Sequence, residues 1–508
     1  MRQRSLSKSL NAPTLNATLH KHYLKTGYIV QDADHFNTGG MQFTQYYRWA
    51  KDFKAVLYCL EHRFFGYSAP VENSSVEILS KLLTTEQVLA DAAVFIKSMN
   101  AADNNTADPR WVIFGGSYGG NLVAAFRLRY PKLSVGGIAS SGPLQAKTDF
   151  YQYMQKVEKD IKRWGPVYCP SAIRKYFGWI RSSLNTKPGR ILIKEVFCIA
   201  NHWDENYIDE KDSELLIANK VFQIDSVLQY DSENHNYLNY MCRYYKQFDD
   251  ALEVKKQDRA RKIVQAMHRI EAEIQNGGNR IKLGTHVIKA DDKDDYYEED
   301  NNYTDYDDDS DTNRYSDSQS GEPEMSCPKS CWGCGLISYN RMLKHLQNVY
   351  RNCWGGSYCD DETRLWFWLS CSQWGYAEST NYGYNYFESG LPINHVLDIC
   401  TDVFGDQYNR TRIEQGVAAT NKMYGGQDNY NGTNCMFING SEDPWSTLSV
   451  YKPLSSTSSS LLIDGTSHCV DMYREYEHDV QVLKDARKLI KKQIIKWVKR
   501  PKNKNSKQ

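Results

Sequence analysis

Long apolar runs are missing from this chain. No window of its 508 residues approaches the roughly 18 apolar residues that a membrane span requires. Net charge is missing as well: 62 lysines and arginines balance 62 aspartates and glutamates. That removes the whole-molecule attraction that would point to nucleic acid or an anionic membrane as a partner. The first thirty residues also lack the apolar core, about 7–15 residues long, of a secretory signal. Other features point the opposite way. Thirteen cysteines, together with sequons at Asn16, Asn73, Asn104, Asn302, Asn409, Asn431 and Asn439, suit an oxidising, secretory-route compartment. The expectation is therefore a secreted or lysosomal protein whose precursor continues beyond this amino terminus. Asn73, Asn104, Asn409 and Asn431 are the candidate glycan carriers.

What the chain does have is enough apolar material, 41% of its residues, for one large domain and a second unit. The segment Trp111–Gly120, WVIFGGSYGG, organises it. A β-forming run, Trp111 to Phe114, stops at a cluster of glycines and gives way to a helix-compatible stretch, Asn121 to Arg129. Gly115-x-Ser117-x-Gly119 fits the strained strand-to-helix turn that lifts a serine hydroxyl above a parallel sheet. A bare Gly-x-Ser-x-Gly is weak on its own, and a serine nucleophile needs an acid and a histidine downstream.

Two later apolar runs supply them. Cys435 to Ile438 ends in Asn439-Gly-Ser-Glu-Asp443-Pro444-Trp445, and Leu461 to Ile463 ends in Asp464-Gly-Thr-Ser-His468. Ser117, Asp443 and His468 thus follow candidate strands in the order serine, acid, histidine, each at the same sheet edge. Their roles would be nucleophile, orienting carboxylate and general base, with the Tyr118 backbone N–H as an oxyanion donor. No metal and no cofactor is needed. His62 precedes the serine, between Glu61 and Arg63, and reads as structural.

Further runs fill in the architecture. Ala55–Leu60 and Val135–Ala139 are candidate buried strands, and Thr84–Met99 is an amphipathic helix with Val88, Leu89, Ala92, Phe95 and Ile96 on one face. Met41–Tyr47 alternates like an edge strand. Val480–Val498 is helical, with lysines opposite its apolar stripe. The expected fold is an α/β hydrolase with a mostly parallel sheet and an inserted, mainly helical cap. Its divisions are a loose arm at 1–30, core at 31–148, cap at 149–395, core again at 396–498 and a basic tail at 499–508. Within the cap, helical patterns cover 156–163 and 258–275, and the dense acidic run at 289–325 should be disordered. That run lacks the spacing of a calcium loop. Cys327, Cys331, Cys334, Cys353 and Cys359 fit disulfides better than zinc, which would want a second close pair.

The segments DHFN at 34–37, EHRFFGYSAP at 61–70, FGGSYGG at 114–120, LWFWLSCSQWGY at 365–376, NGSEDPW at 439–445 and IDGTSHCVDM at 463–472 resemble the prolyl-specific serine peptidases. That family includes lysosomal Pro-X carboxypeptidase, dipeptidyl peptidase II and thymus-specific serine protease; Val227-Leu-Gln-Tyr230 is most like the thymus-specific branch. The resemblance implies an exopeptidase acting after proline on proline-containing peptides through an acyl-enzyme, and it leaves a homodimer open. Trp366, Trp368, Tyr376 and Trp445 are candidate walls of a proline pocket, or else cap core. The chain departs from the family before EHR. Relatives carry a further strand and a Gly-Gly-Glu-Gly segment there, whereas Tyr47 to Lys54 runs into Ala55 with no glycine. A missing strand and oxyanion loop favour a second reading, a weak or inactive member that binds peptides. A lipase or esterase is a third.

Overall fold

The computed structural model describes residues 19–22, 27–31, 45–66, 68–102, 108–197, 199, 206–231, 236–253, 261, 337–350, 353–354, 358–359 and 362–499. Short runs, richest in β-branched and aromatic residues at Gly27–Gln31 and Val112–Gly116, form the sheet. Its strands are β1 (Leu19–His22), β2 (Gly27–Gln31), β3 (Val56–Leu60), β4 (Val112–Gly116), β5 (Gly136–Ser140), β6 (Cys435–Gly440) and β7 (Ser459–Ile463). They lie in the order β1-β3-β2-β4-β5-β6-β7. β1 runs antiparallel to β3, and the other pairings are parallel. β4, β5 and β6 are buried along their whole length, which explains why they read as unbroken apolar runs instead of alternating ones.

Both faces are covered. On one, Tyr118–Arg129 sits over β4 and β5 beside Thr85–Ala102; on the other, Gln45–Phe53 and Gln481–Val498 bury Trp49, Ile490, Ile494 and Trp497 against Leu57, Phe114, Ile138 and Ile438. This is an α/β hydrolase sheet with helices on both sides. Between β5 and β6 the chain leaves the sheet for a helical region that includes Tyr151–Trp164, Cys169–Leu184, Glu210–Tyr230 and Asn236–Glu253. Disulfides join Cys169 to Cys242 and Cys371 to Cys400.

Three expectations change. Gln45–Tyr47, read as the end of an edge strand, begins a helix, while 41–44 lie outside the described residues. Tyr46, Trp49 and Ala50 recur at helical spacing, and the rings of Tyr46 and Trp49 meet Phe114 at 5.9 and 6.2 Å. The segment 1–30, read as a loose arm, contains β1 and most of β2. Most telling, the sheet has no gap where the strand before EHR was expected to be missing. The helix Gln45–Phe53 does turn directly into β3, with Lys54 at φ 52°, but β2 fills the interior position between β3 and β4. The acidic run, Cys327, Cys331, Cys334 and nearly all of the expected helix at 258–275 lie outside the described residues. Cys353 and Cys359 face each other in a short antiparallel ladder.

Candidate active site

Ser117 stands between β4 and the helix Tyr118–Arg129 at φ 54°, ψ −128°, a strained backbone for a residue with a side chain. The turn is possible because position 115 is glycine: a Cβ there would lie 2.2 Å from the Gly119 carbonyl oxygen. Ser117 N–H donates to Ser140 O at 2.9 Å, which ties the elbow to the neighbouring strand. Tyr118 takes the first helical position, where an amide has no intrahelical acceptor.

The two residues expected to join the serine meet each other in the interior. Asp443 follows β6 and is wholly buried; His468 follows β7 and is 3% exposed. His468 Nδ1 donates to Asp443 Oδ1 at 2.9 Å, and that oxygen also accepts from Trp445 N–H at 3.0 Å. Against a carboxylate, Nδ1 must carry the proton, so Nε2 is left as the basic nitrogen. Among the described residues Nε2 has no hydrogen-bond partner. Burial works against a charged imidazole, but Asp443 and Cys469 outweigh it and raise the pKa well above 6.5.

The histidine loop packs beside the serine elbow through its next residue. Ser141 Oγ accepts from Cys469 N–H at 2.9 Å, and a Cβ on Gly116 would come within 3.0 Å of Cys469 Sγ. From the other side, the end of the helix Glu210–Tyr230 holds the same loop. Gln229 O accepts from His468 N–H at 3.1 Å, and Ser467 Oγ donates to Leu228 O at 2.8 Å. The Gln229 side chain accepts from Tyr153 OH at 2.7 Å and Trp445 Nε1 at 3.1 Å. A cavity of about 180 Å³ lies against Ser117, lined also by Tyr118, Pro143, Gln229, Trp366, Tyr376 and Trp445.

Three of the four aromatic candidates therefore meet at the serine. Trp368 does not: it is buried, donates to Leu83 O at 3.0 Å and contacts Phe404 and Tyr408. His62 is buried too, with Nδ1 donating to Arg63 O at 2.8 Å and its pKa lowered to about 4 by burial. Gln229 was named in the sequence only as part of a family-like run. Tyr153 carried no signal, because both reach the site by the docking of helices distant in sequence.

A parallel sheet with a serine on a glycine-flanked elbow defines an α/β hydrolase. The chain belongs to the serine carboxypeptidase S28 family, whose model matches residues 27–309 and 327–490, and it is thereby a serine-type peptidase. A Caenorhabditis elegans candidate serine protease is 31% identical, covering 89% of this chain and 74% of that protein. Human thymus-specific serine protease is 25% identical over 88% of this chain and 74% of its own length. Human lysosomal Pro-X carboxypeptidase matches a shorter part, 35% identical over 28% of this chain and 29% of that protein. Among solved structures, a lipase in its open form covers 96% of each chain at 9% identity and a TM-score of 0.29, too low to carry an argument.

Proposed function

We propose that this chain is an exopeptidase that cleaves after proline through Ser117, Asp443 and His468. The observation that carries the reading is the buried Asp443–His468 bond, which leaves an unpartnered basic Nε2 in the loop packed against the serine elbow. Ser117 Oγ attacks the peptide carbonyl while Nε2 takes its proton. The same proton passes to the departing amine, and a water deprotonated by His468 then hydrolyses the acyl-enzyme. Asp443 holds the imidazole tautomer and stabilises its charged form. The Tyr118 N–H receives the oxyanion. Trp366, Tyr376 and Trp445 offer aromatic faces on which a proline ring stacks. The two disulfides and the lysosomal relative support a secretory or lysosomal location.

The test is labelling of the secreted, full-length protein with a fluorophosphonate, followed by cleavage of prolyl peptide libraries. Labelling should vanish in Ser117→Ala. A folded protein that takes no label would favour the second reading, a peptide-binding member with weak or no activity. That reading draws support from the glycine-free approach to β3, since loss of one oxyanion donor costs about 10²–10³ in rate.

A further inference from the structure

A second cavity, of about 420 Å³, adjoins the one at Ser117 and shares Gln229, Trp366 and Tyr376 with it. Its polar features are unlike those of the serine pocket. Asp225, from the helix Glu210–Tyr230, is 6% exposed, and its carboxyl is hydrogen-bonded to that of Glu378, which follows the strand Gly375–Ala377. Two carboxyls in direct contact share a proton, and together they leave one negative charge in a wall whose other polar side chains, among them Asn219, Ser226, Gln229 and Ser370, are neutral.

A separate residue points the same way. His395 is 3% exposed, lines the cavity, and pairs Nδ1 with Glu214 Oε2 at 3.3 Å. That bond places the ring proton on Nδ1, so Nε2 is a lone-pair acceptor, and it has no partner among the described residues. Burial lowers the pKa of this imidazole to about 4, which keeps it neutral. The cavity thus sets a negative charge and a free acceptor among neutral polar side chains. No lysine or arginine lines either cavity among the described residues, so neither has a cation for a peptide carboxylate.

We propose that this cavity binds the free α-amino end of the peptide substrate, with an apolar first side chain, and that Asp225 and Glu378 make the enzyme an amino-side exopeptidase. The proposal rests on the peptidase reading above. An ammonium presents three donors to the carboxyl pair and His395, whereas a terminal carboxylate would be repelled by the charge of the pair and would meet only neutral donors such as Asn219. Burial pushes Asp225 up to about 7 and Glu378 well above its ordinary range, so the pair holds its shared proton until an arriving ammonium displaces it.

The experiment measures binding apart from turnover. Leucyl-proline amide and its N-acetyl counterpart are titrated calorimetrically into full-length Ser117→Ala, and then into the same protein carrying Glu378→Gln or Asp225→Asn. Both changes keep side-chain volume, and either one suffices should the other fail to fold. The free amine should bind at least about tenfold more tightly than the acetylated peptide, a preference that falls to within about twofold in the variants. Equal affinity for the two peptides overturns the proposal, and so does an undiminished preference in both variants. Leucyl-prolyl and acetyl-leucyl-prolyl coumarin amides are assayed in parallel with the unmodified enzyme. If neither is cleaved while the binding preference holds, the peptidase reading falls and the amine site stands.

Discussion

Two opposed forces act on the imidazole of His468. Burial favours its neutral form, while Asp443 at 2.9 Å and the neighbouring Cys469 favour its charged form and prevail. As the proposed general base, His468 works only when deprotonated. A raised pKa therefore moves the acid limb of the rate profile upward: kcat/KM should rise with pH through a midpoint above 6.5, the ordinary imidazole value. Asp443→Asn should lower that midpoint and reduce kcat by about 10⁴, through loss of the right tautomer. An unshifted midpoint in a pH-rate profile of the variant would contradict this account. Gln229 makes a different prediction. Truncation to Ala leaves Tyr153 OH and Trp445 Nε1 without their acceptor, at a cost of about 1–3 kcal/mol in chemical denaturation. Ser117, Asp443 and His468 were picked out in the sequence because each comes within five residues of the end of a short strand, β4, β6 or β7. Gln229, Asp225 and Glu378 were not, since nothing local marks a residue whose role depends on which helix docks beside it.

Elements read well where periodicity and burial agree, and poorly where pairing is remote. Thr84–Met99 was expected as a helix and is observed as Thr85–Ala102; the final helix, Gln481–Val498, differs from its expected span by one residue. Of the strand expected at Met41–Tyr47, the described part, Gln45–Tyr47, is helical instead, because alternation over a few aromatic residues also fits the start of a helix with one side buried. β2 was missed for another reason. A short segment near the amino terminus carries no mark of the strands, β3 and β4, that it will separate. One packing contact between elements can be tested directly. A Cβ on Gly136 in β5 would lie 2.2 Å from the ring of Trp497 in the final helix. Gly136→Ala should destabilise the protein by about 1–3 kcal/mol, read from urea denaturation. Trp497→Leu makes room, so the double variant should lose less than the sum of the two single changes.

At the scale of the whole molecule, covalent links fall in the inserted region. Cys169–Cys242 spans 73 residues, and replacing it with an alanine pair should cost about 2–4 kcal/mol. Thermal melts with and without reductant check this, with proteolysis expected first within 149–395. Surface placement also sorts the sequons. Asn409 and Asn431 are exposed, whereas Asn439 lies wholly buried in β6. Glycopeptide mapping should find glycans at the first two and none at Asn439. The break in the family match, at residues 310–326, falls mostly within the acidic run that the sequence set apart from the cap. The sheet order has one more consequence, which concerns the chain as it is made. β5 pairs on one side with β4, synthesised just before it, but its other partner is β6, which emerges roughly three hundred residues later. At ribosomal rates the inner edge of the sheet waits about 15–60 s for that partner. Throughout that interval the unpaired backbone of Gly136–Ser140 is a template for any passing strand. The inserted helices must therefore form beside an unfinished sheet, and the strand that leads into Ser117 is in place long before His468 is made.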